Sequence, residues 1–319
     1  MDRQWTVTTA EAGQRLDKFL AAQGRAGSRS RASDAVSRGR VFLNGVEVAV
    51  DAGARLVRDG DVVRLWIDRP GSASRATRPP ARGGLSIVHE DGDLVVVDKP
   101  PGLLTVPLDG DSDAPSVLEA LHDRYRSHRT RSPLVVHRID RDTSGLVLFG
   151  LHPAARADLV AQFARRTPDR IYLALVHGHP LPSAGTWHDR LSWDDEACLQ
   201  RAARDDDSEA KDAESQYRVI TTFSDASLVE VRLQTGRQGQ IRVQAQLRGH
   251  ALVGDRRYRP RGDERAHGLT FPRQALHAQR LTFEHPADRR RIEVMAPTPD
   301  DLRDLIDLLR RRARQSGAP

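Results

Sequence analysis

The chain has 319 residues, 38% of them hydrophobic, which is enough for one large domain and one small domain with apolar cores. No apolar run approaches the ~20 residues that a membrane span requires, and the first residues lack the apolar segment of a secretion signal. Cys198 is the single cysteine, which excludes an internal disulfide and a cysteine-rich metal site and indicates a reducing, cytoplasmic location.

Positive charge is concentrated at the amino-terminal end. Residues 1–82 hold fifteen basic and nine acidic residues, so they carry the whole net charge of +6 and the remainder is neutral. Of the 50 basic residues only Lys18, Lys99 and Lys211 are lysines, a bias that genome composition explains more readily than phosphate recognition. The charge asymmetry is more informative, because a basic module on a neutral body is typical of nucleic-acid binding.

The first 68 residues carry the pattern of a small module with two helices and a hairpin. Ser28 is a suitable cap for the second helix, and Gly39 a suitable end. Asn44-Gly45 follows an apolar run and predicts a hairpin turn. The helix residues predicted to face inward are Leu16, Phe19, Leu20, Ala32, Ala35 and Val36. Residues 69–84 are rich in Pro, Gly, Ser and Arg without apolar periodicity, which predicts a linker.

The larger module, residues 85–319, opens with a strand predicted over 94–97. The sequence Asp98-Lys99-Pro100-Pro101-Gly102 then ends this strand in a turn that the prolines restrict. Lys99 follows a β-branched run and can point into a site, but a lysine at a strand end is ordinarily on the surface.

A charged segment, His137-Arg138-Ile139-Asp140-Arg141-Asp142-Thr143-Ser144-Gly145, lies between two further predicted strands, 133–136 and 146–149. It holds two carboxylates, two guanidiniums and one imidazole within nine residues. Loops at strand ends commonly carry catalytic groups, so this segment is the leading candidate site. No partner at metal-ligand spacing lies near His137, which favours a hydrogen-bonded structural imidazole.

The later elements mix strands with helices. Strands are predicted over 171–176, with Tyr172 near the start, and over 229–233, whereas residues 241–247 fit a strand and a helix equally. The segments 274–278 and 281–283 predict a late strand pair. A final helix capped by Thr298 is expected to bury Leu302, Leu305, Ile306, Leu308 and Leu309. The body is therefore predicted to be α+β rather than doubly wound.

Four segments of the first module resemble the small RNA-binding domain named after ribosomal protein S-four. They are Arg15-Leu-Asp-Lys-Phe-Leu20, Ser28-Arg-Ser-Arg-Ala32, Gly39-Arg-Val-Phe-Leu-Asn-Gly45 and Gly60-Asp-Val-Val63. A basic helix end by itself is more often a solvated face than a nucleic-acid site. The resemblance implies instead that Lys18, Arg29 and Arg31 contact RNA, and that residues 1–68 form an RNA-binding domain.

The second module resembles pseudouridine synthases of the RluA type. The similarity rests on His137 to Gly145, Arg170-Ile-Tyr-Leu-Ala-Leu-Val176, Thr235-Gly-Arg-Gln-Gly-Gln-Ile-Arg242, Gly254-Asp-Arg-Arg-Tyr258 and Arg273-Gln-Ala-Leu-His-Ala278. It implies a mixed, largely antiparallel central sheet flanked by helices over 85–319. The implied activity is isomerisation of specific uridines in structured RNA, with ribosomal RNA favoured over transfer RNA.

The resemblance also implies roles for individual residues. Asp140 is the catalytic aspartate, acting as a nucleophile on the ribose or as a base in competing schemes. Arg237 is the ion partner that holds Asp140 ionised and oriented. Tyr172 stacks on the target base and assists proton removal from C5. Asp142 is the weaker alternative, since the family places its aspartate directly after His-Arg-Ile.

Further implied contacts concern the RNA. Arg138 is expected to fill the helical stack after the uridine flips out, and Arg242 is expected to contact RNA. Isomerisation neither adds nor removes atoms, so neither a metal nor an organic cofactor is expected. We also expect a monomer.

One departure from the family keeps a second hypothesis open. The family usually carries Thr-His where this chain has Gln238-Gly239, which removes an imidazole and adds conformational freedom. Altered substrate contacts are the expected consequence, because Asp140, Tyr172 and Arg237 are present. The alternative is a non-catalytic RNA-binding or RNA-chaperone protein with a degenerate synthase domain.

Overall fold

The computed structural model describes residues 2–37, 39–48, 55–67, 85–107, 115–258, 269 and 271–315. These residues divide into two compact units, which fall within Met1–Pro79 plus Pro107–Pro115 and within Pro80–Val106 plus Ser116–Pro319. The linker predicted over 69–84 lies outside the described residues, so the domain boundaries stay a prediction. In the described part of the chain, no helix is long and apolar enough to span a membrane.

The first unit packs two helices on a four-stranded antiparallel sheet of order β1-β4-β2-β3. Its elements are β1 Asp2–Thr6, α1 Leu16–Ala21, α2 Arg29–Ser37, β2 Val41–Leu43, β3 Val46–Glu47 and β4 Val62–Trp66. The six inward-facing helix residues predicted from the sequence are all buried. Asn44 and Gly45 form the β2–β3 turn with φ of 52° and 80°, which confirms the predicted hairpin.

The second unit is built on an eleven-stranded mixed sheet flanked by helices. Its strands are β5 Ser86–Glu90, β6 Leu94–Lys99, β7 Leu134–Val135, β8 Ser144–Gly150, β9 Asp169–His177, β10 Ala184–Asp194, β11 Leu199–Ala202, β12 Lys211–Thr222, β13 Ala226–Leu233, β14 Leu276–Glu284 and β15 Arg291–Met295. Its helices are α3 Val117–Tyr125, α4 Pro153–Ala164, α5 Gln240–Leu247 and α6 Asp300–Gln315. The predicted α+β class is confirmed.

The sheet order is β11-β10-β12-β13-β9-β14-β8-β6-β5, with β15 beside β14 and β7 beside β8. The pairings among these described strands are antiparallel except that of β14 with β8. Because β8 and β14 run in the same direction, both begin at the edge where the antiparallel β6 ends. The loop 137–143, which precedes β8, therefore lies at this edge together with Lys99 and the residues before β14.

Three features of the later chain test the secondary structure predicted from the sequence: the segment 241–247, the late strand pair and the last helix. Residues 241–247 are helical, within α5. The predicted late strand pair is wrong: residues 276–284 form the single strand β14, which continues through a bulge between Ala278 and Arg280 instead of turning. The last helix begins at Asp300, two residues after Thr298, and its Leu308 is 37% exposed rather than buried.

Three side chains that can bind metals meet beside the turn before β6. Oxygen and nitrogen atoms of Asp91, Asp93 and His285 lie within 4.8 Å of one another. His285 Nε2 is 3.2 Å from Asp91, and His285 Nδ1 is 3.1 Å from Asp288. These contacts join the β5–β6 turn to the β14–β15 turn, which gives the cluster a structural explanation. It lies at the opposite end of β6 from Lys99, about 20 Å away for a six-residue strand.

Candidate active site

The loop that carries Asp140 is held by a short turn and by the core beneath it. Thr143 N donates to Asp140 O over 3.1 Å. Ile139 is 7% exposed and packs in the main core, and its carbonyl accepts a 2.9 Å bond from Thr105 Oγ1. With Ile139 anchored inward, Arg138 is exposed, while the Asp140 side chain keeps 23% of its surface accessible.

Lys99 supports the same loop from below. Its side chain is completely buried, and Nζ donates to Arg141 O (2.7 Å), Leu103 O (2.8 Å) and Pro100 O (3.0 Å). Burial lowers the pKa of Lys99 to about 7, although the Asp142 carboxylate opposes this shift. The surface position expected for a strand-end lysine is wrong, because the turn after β6 folds back over the ammonium group.

Arg273 fixes the far side of the loop. It forms two bonds to the Asp301 carboxylate, at 2.7 and 2.9 Å, from the first turn of α6. Its Nη1 donates to Asp142 O (3.2 Å) and to Leu276 O (3.1 Å). One largely buried guanidinium thus ties the final helix, the start of β14 and the loop that carries Asp140 together.

Arg242 is the ion partner of Asp140. Its Nη1 lies 2.7 Å from Asp140 Oδ2. The same guanidinium forms two bonds to the fully buried Asp255, at 2.6 and 2.9 Å. A planar guanidinium can serve two carboxylates at once in this way, whereas an ammonium presents a single point charge.

Two sequence-derived roles are corrected by this arrangement. The Arg237 side chain donates from Nε to Asp212 O over 3.1 Å, and Arg242 occupies the position beside Asp140 that was expected for Arg237. Arg242, expected to contact RNA, is 7% exposed and bonded to two carboxylates. The physical reason is that α5 starts at Gln240, so its first full turn aims Arg242 at the loop while Arg237 stays in the preceding turn.

The second carboxylate is itself held in place. Asp255 Oδ1 accepts bonds from the backbone N–H groups of Arg257 (2.9 Å) and Tyr258 (3.0 Å). The ring of Tyr258 lies 5.0 Å from the Arg242 guanidinium carbon, and its hydroxyl accepts a 2.8 Å bond from Gln200 N. Asp255, Arg257 and Tyr258 belong to the segment 254–258, which carries part of the family resemblance. The local pattern of this segment gave no indication of a bond to Arg242.

Tyr172 lies in β9 with 8% of its surface exposed, among core residues that include Ile139. Burial raises its pKa, and the negative charge of Asp140 raises it further. The phenol is therefore protonated at neutral pH. Asp140 pairs with Arg242 and its charge acts on Tyr172, so three distant segments contribute to the site. All three segments were predicted from the sequence to contribute a catalytic residue, although the third was expected to supply Arg237 instead of Arg242.

His137 has the structural role predicted for it. Its Nε2 accepts a 3.1 Å bond from Leu148 N, and its ring stacks on Phe163 with centroids 4.7 Å apart. Burial lowers the pKa of His137 to about 3, so the imidazole is neutral and able to accept this bond. It fixes the start of the loop to β8.

The Gln238-Gly239 departure lies immediately before α5. Gly239 is the N-cap residue with φ of 63°, and a Cβ at this position would lie 3.2 Å from the Tyr258 hydroxyl. The glycine thus allows a left-handed turn beside Tyr258. Arg242 forms its bonds to Asp140 and Asp255 although Gln238-Gly239 replaces the usual Thr-His.

In the first unit, the side chains of Lys18, Arg29 and Arg31 are exposed. Arg29 and Arg31 lie in the first turn of α2, where Arg31 N donates to the Ser28 hydroxyl over 3.2 Å. The predicted helix cap is therefore confirmed. The amino-terminal end of a helix favours phosphate, and Arg29 and Arg31 add positive charge there.

Comparison with known proteins agrees with the geometry. A family model described as RNA pseudouridylate synthase matches residues 93–247, and an S4 domain model matches residues 14–63. RNA pseudouridine synthase YlyB of Bacillus subtilis is 34% identical over 309 residues, covering 96% of this chain and 97% of its own. Ribosomal large subunit pseudouridine synthase D of Zymomonas mobilis is 36% identical over 316 residues, again covering 96% and 97%.

A solved structure shares the fold. The human protein RNA Pseudouridylate Synthase Domain Containing 4 has a TM-score of 0.57 at 24% identity, covering 70% of this chain and 93% of its own. The curated relatives match along nearly their full length, including the amino-terminal unit. The chain therefore belongs to the RNA pseudouridine synthases of the RluA type, isomerases that here carry an amino-terminal S4 domain.

Proposed function

We propose that this protein isomerises specific uridines of large-subunit ribosomal RNA by an aspartate-dependent, cofactor-free reaction. The Asp140 carboxylate carries the proposal, because it is partly exposed while one of its oxygens is held by Arg242. Relatives named ribosomal large subunit pseudouridine synthase D favour ribosomal RNA over transfer RNA. In this proposal residues 1–68 bind RNA and residues 85–319 catalyse the reaction.

The chemistry requires the C1′–N1 bond to break, a C1′–C5 bond to form, and one proton to leave C5 while another reaches N1. Substrate and product are isomers, so no oxidant, reductant or group donor enters the balance. Asp140 is suited to act on the ribose because Arg242 fixes its orientation through Oδ2 while part of the side chain stays accessible.

Two further residues act on the target nucleotide in this proposal. Tyr172 offers its ring to the flipped base, and its protonated phenol is a poor proton acceptor, which favours stacking over a role as base. Arg138, two residues before Asp140, is exposed, and in this proposal it fills the gap that the flipped uridine leaves in the helix.

The test is a transcriptome-wide map of pseudouridine in cells that lack the protein. Complementation with the wild type is expected to restore modification at one or a few uridines of large-subunit RNA, and Asp140→Ala is expected to restore none. If no uridine differs between wild type and Asp140→Ala, the protein is not an enzyme of this kind and the RNA-chaperone alternative gains support. Sites only in transfer RNA would overturn the substrate assignment.

A second measurement tests whether Arg242 or Arg237 supports Asp140 in the reaction. Purified Arg242→Gln should lose about 100-fold or more in the single-turnover rate, because Asp140 loses its orientation and Asp255 is left without its partner. Arg237→Gln should lose less than about tenfold, since its side chain bonds a backbone carbonyl outside this network. Equal losses in both variants would contradict the assignment of Arg242.

A further inference from the structure

Arg170 is a partly buried arginine in the wall of the site with no role in the network around Asp140. It lies in β9 two residues before Tyr172, so both side chains are on the same face of the sheet. Its guanidinium lies over the ring of Phe163 at 5.5 Å, and Phe163 stacks on His137 at the start of the catalytic loop. Arg170 thus borders the loop that carries Asp140.

The hydrogen bonds of Arg170 are incomplete. Its Nη2 reaches Leu233 O only at 3.5 Å, and its buried Nε has no hydrogen-bond partner. None of the ion pairs formed by the described residues includes Arg170, and the neighbouring Asp169 pairs with Arg232 instead. Burial lowers the pKa of Arg170, because partial removal from water disfavours the charged guanidinium.

The two arginines that are buried in the described part of this unit are compensated. Arg242 bonds to Asp140 and Asp255, and Arg273 bonds to Asp301. Even a partly buried cation without a counter-charge lowers the stability of the fold, and Arg170 has no such partner among the described residues. An anion supplied by the substrate would provide both the missing charge and the missing acceptors.

A glycine lies against another side of the Arg170 guanidinium. Gly236 is exposed and lies in the turn before α5, and a Cβ built on it would be 2.5 Å from Arg170 Nη1. A side chain at this position would displace the guanidinium from its place. Arg170 therefore lies between the Asp140 loop and the turn that leads to Arg242, with its Nη1 next to the exposed Gly236.

We propose that Arg170 is a binding residue for a backbone phosphate of the RNA strand next to the target uridine. The planar guanidinium presents several donors in the geometry that phosphate oxygens accept, and the substrate of this enzyme class brings phosphates to the site. The inference rests on the proposed function, since it assigns the anion to the RNA substrate.

The test uses a short RNA that contains a uridine which the wild-type protein modifies. Its affinity is measured between about 50 and 200 mM salt for the wild type, Arg170→Met and Arg170→Lys, with Arg218→Met as the matched control. Arg218 is exposed and pairs with Glu230. Arg170→Met should bind about tenfold or more weakly, with a salt slope reduced by about 0.7 to 0.9, the value for a single phosphate.

Arg170→Lys should keep most of the wild-type slope because the charge remains, and Arg218→Met should resemble the wild type. An unchanged slope in a folded Arg170→Met protein would mean that the residue is only structural, and would overturn the proposal. The maximal rate at saturating RNA should fall much less than the affinity, since Arg170 is not in contact with Asp140.

A second experiment can refute the proposal with the wild-type protein alone. One neutral methylphosphonate is placed on either side of the target uridine, and wild-type binding is measured. The affinity should fall about tenfold or more at one linkage, and that decrease should be absent in Arg170→Met. Unaltered wild-type binding at both linkages would refute the phosphate contact. A wild-type protein that modifies no RNA would instead refute the proposed function, so the two failures are distinguishable.

Discussion

At the scale of single residues, the site is organised by charged groups that share partners. Asp140 and Asp255 bond to the same guanidinium, and Arg257 and Tyr258 orient Asp255 through their backbone N–H groups. Substitutions in such a network are not additive, because each one also releases the partners of its neighbours. The rate decrease in Arg242→Gln therefore measures disruption of the network and not a single bond.

Lys99 gives a prediction about pH at this scale. In the folded protein its pKa is about 7, whereas an unfolded chain holds the lysine proton up to a pKa of about 10.4. Between these values the unfolded state binds one more proton, so this group makes the folded state more stable as pH rises. Below pH 7 both states are protonated and the contribution stops changing.

The measurement is urea unfolding of wild type and Lys99→Met from pH 7 to 9.5. Methionine keeps much of the length of the side chain and cannot titrate. The free energy of unfolding of the wild type should rise with pH relative to that of the variant. Two parallel pH profiles would show that the buried amine does not titrate in this range.

At the scale of elements, the parallel contact between β8 and β14 positions the loop. It consists of two residue pairs, His277 with Ser144 and Ala278 with Gly145. Gly145 has φ of 109°, and a Cβ there would lie 2.2 Å from Ala278 O. The close approach of the two strands, directly after the loop that carries Asp140, therefore requires glycine.

Gly145→Ala is expected to lower the free energy of unfolding by at least about 2 kcal/mol, since the backbone is strained and the two strands must separate. Gly92→Ala is the matched control, because a Cβ at Gly92 has no neighbour within 4 Å. It should change stability by no more than about 0.5 kcal/mol. Chemical unfolding of both variants is the measurement, and a Gly145→Ala protein as stable as the control would contradict the close approach.

Buried hydrogen bonds also explain why the segment 240–247 forms the helix α5 instead of a strand. Gln240 accepts from Thr235 Oγ1 and donates to Glu214 O, while Gln244 donates to Ala213 O and Asp189. These bonds to the strands beneath hold the helix that carries Arg242. The alternation of Ile241 and Val243 in the sequence fits a strand equally, so the choice depended on partners that local pattern does not reveal.

At the scale of the whole molecule, the positive charge of the first unit gives a prediction about RNA binding. Lys18, Arg29 and Arg31 are exposed, so changing all three to glutamine should leave the fold intact. RNA affinity should fall, and the salt slope should decrease by about 0.7 to 0.9 for each phosphate that the variant no longer binds. The control variant changes two other exposed arginines, Arg303 and Arg310 on α6, to glutamine. Identical slopes in the triple variant and the wild type would exclude a phosphate contact by these residues.

Local pattern determined much of this protein. The inward faces of α1 and α2, the Asn44-Gly45 turn and the strands on either side of the charged loop depend on contacts between near neighbours, which repeat with the period of the element. The motif around Asp140 likewise identified the loop, and its dense charges marked it as a site. The structural role of His137 followed from the lack of a metal partner nearby.

Tertiary structure alone decided which charged groups meet. Asp140 pairs with Arg242, which is 102 residues away, and Lys99 bonds to Arg141 O, which is 42 residues away. The sequence offers Arg237 and Arg242 on either side of a glycine, and only the start of α5 determines which one reaches the loop. The burial of Lys99 and the single strand β14 depend in the same way on segments packed from a distance, whose positions no local period specifies.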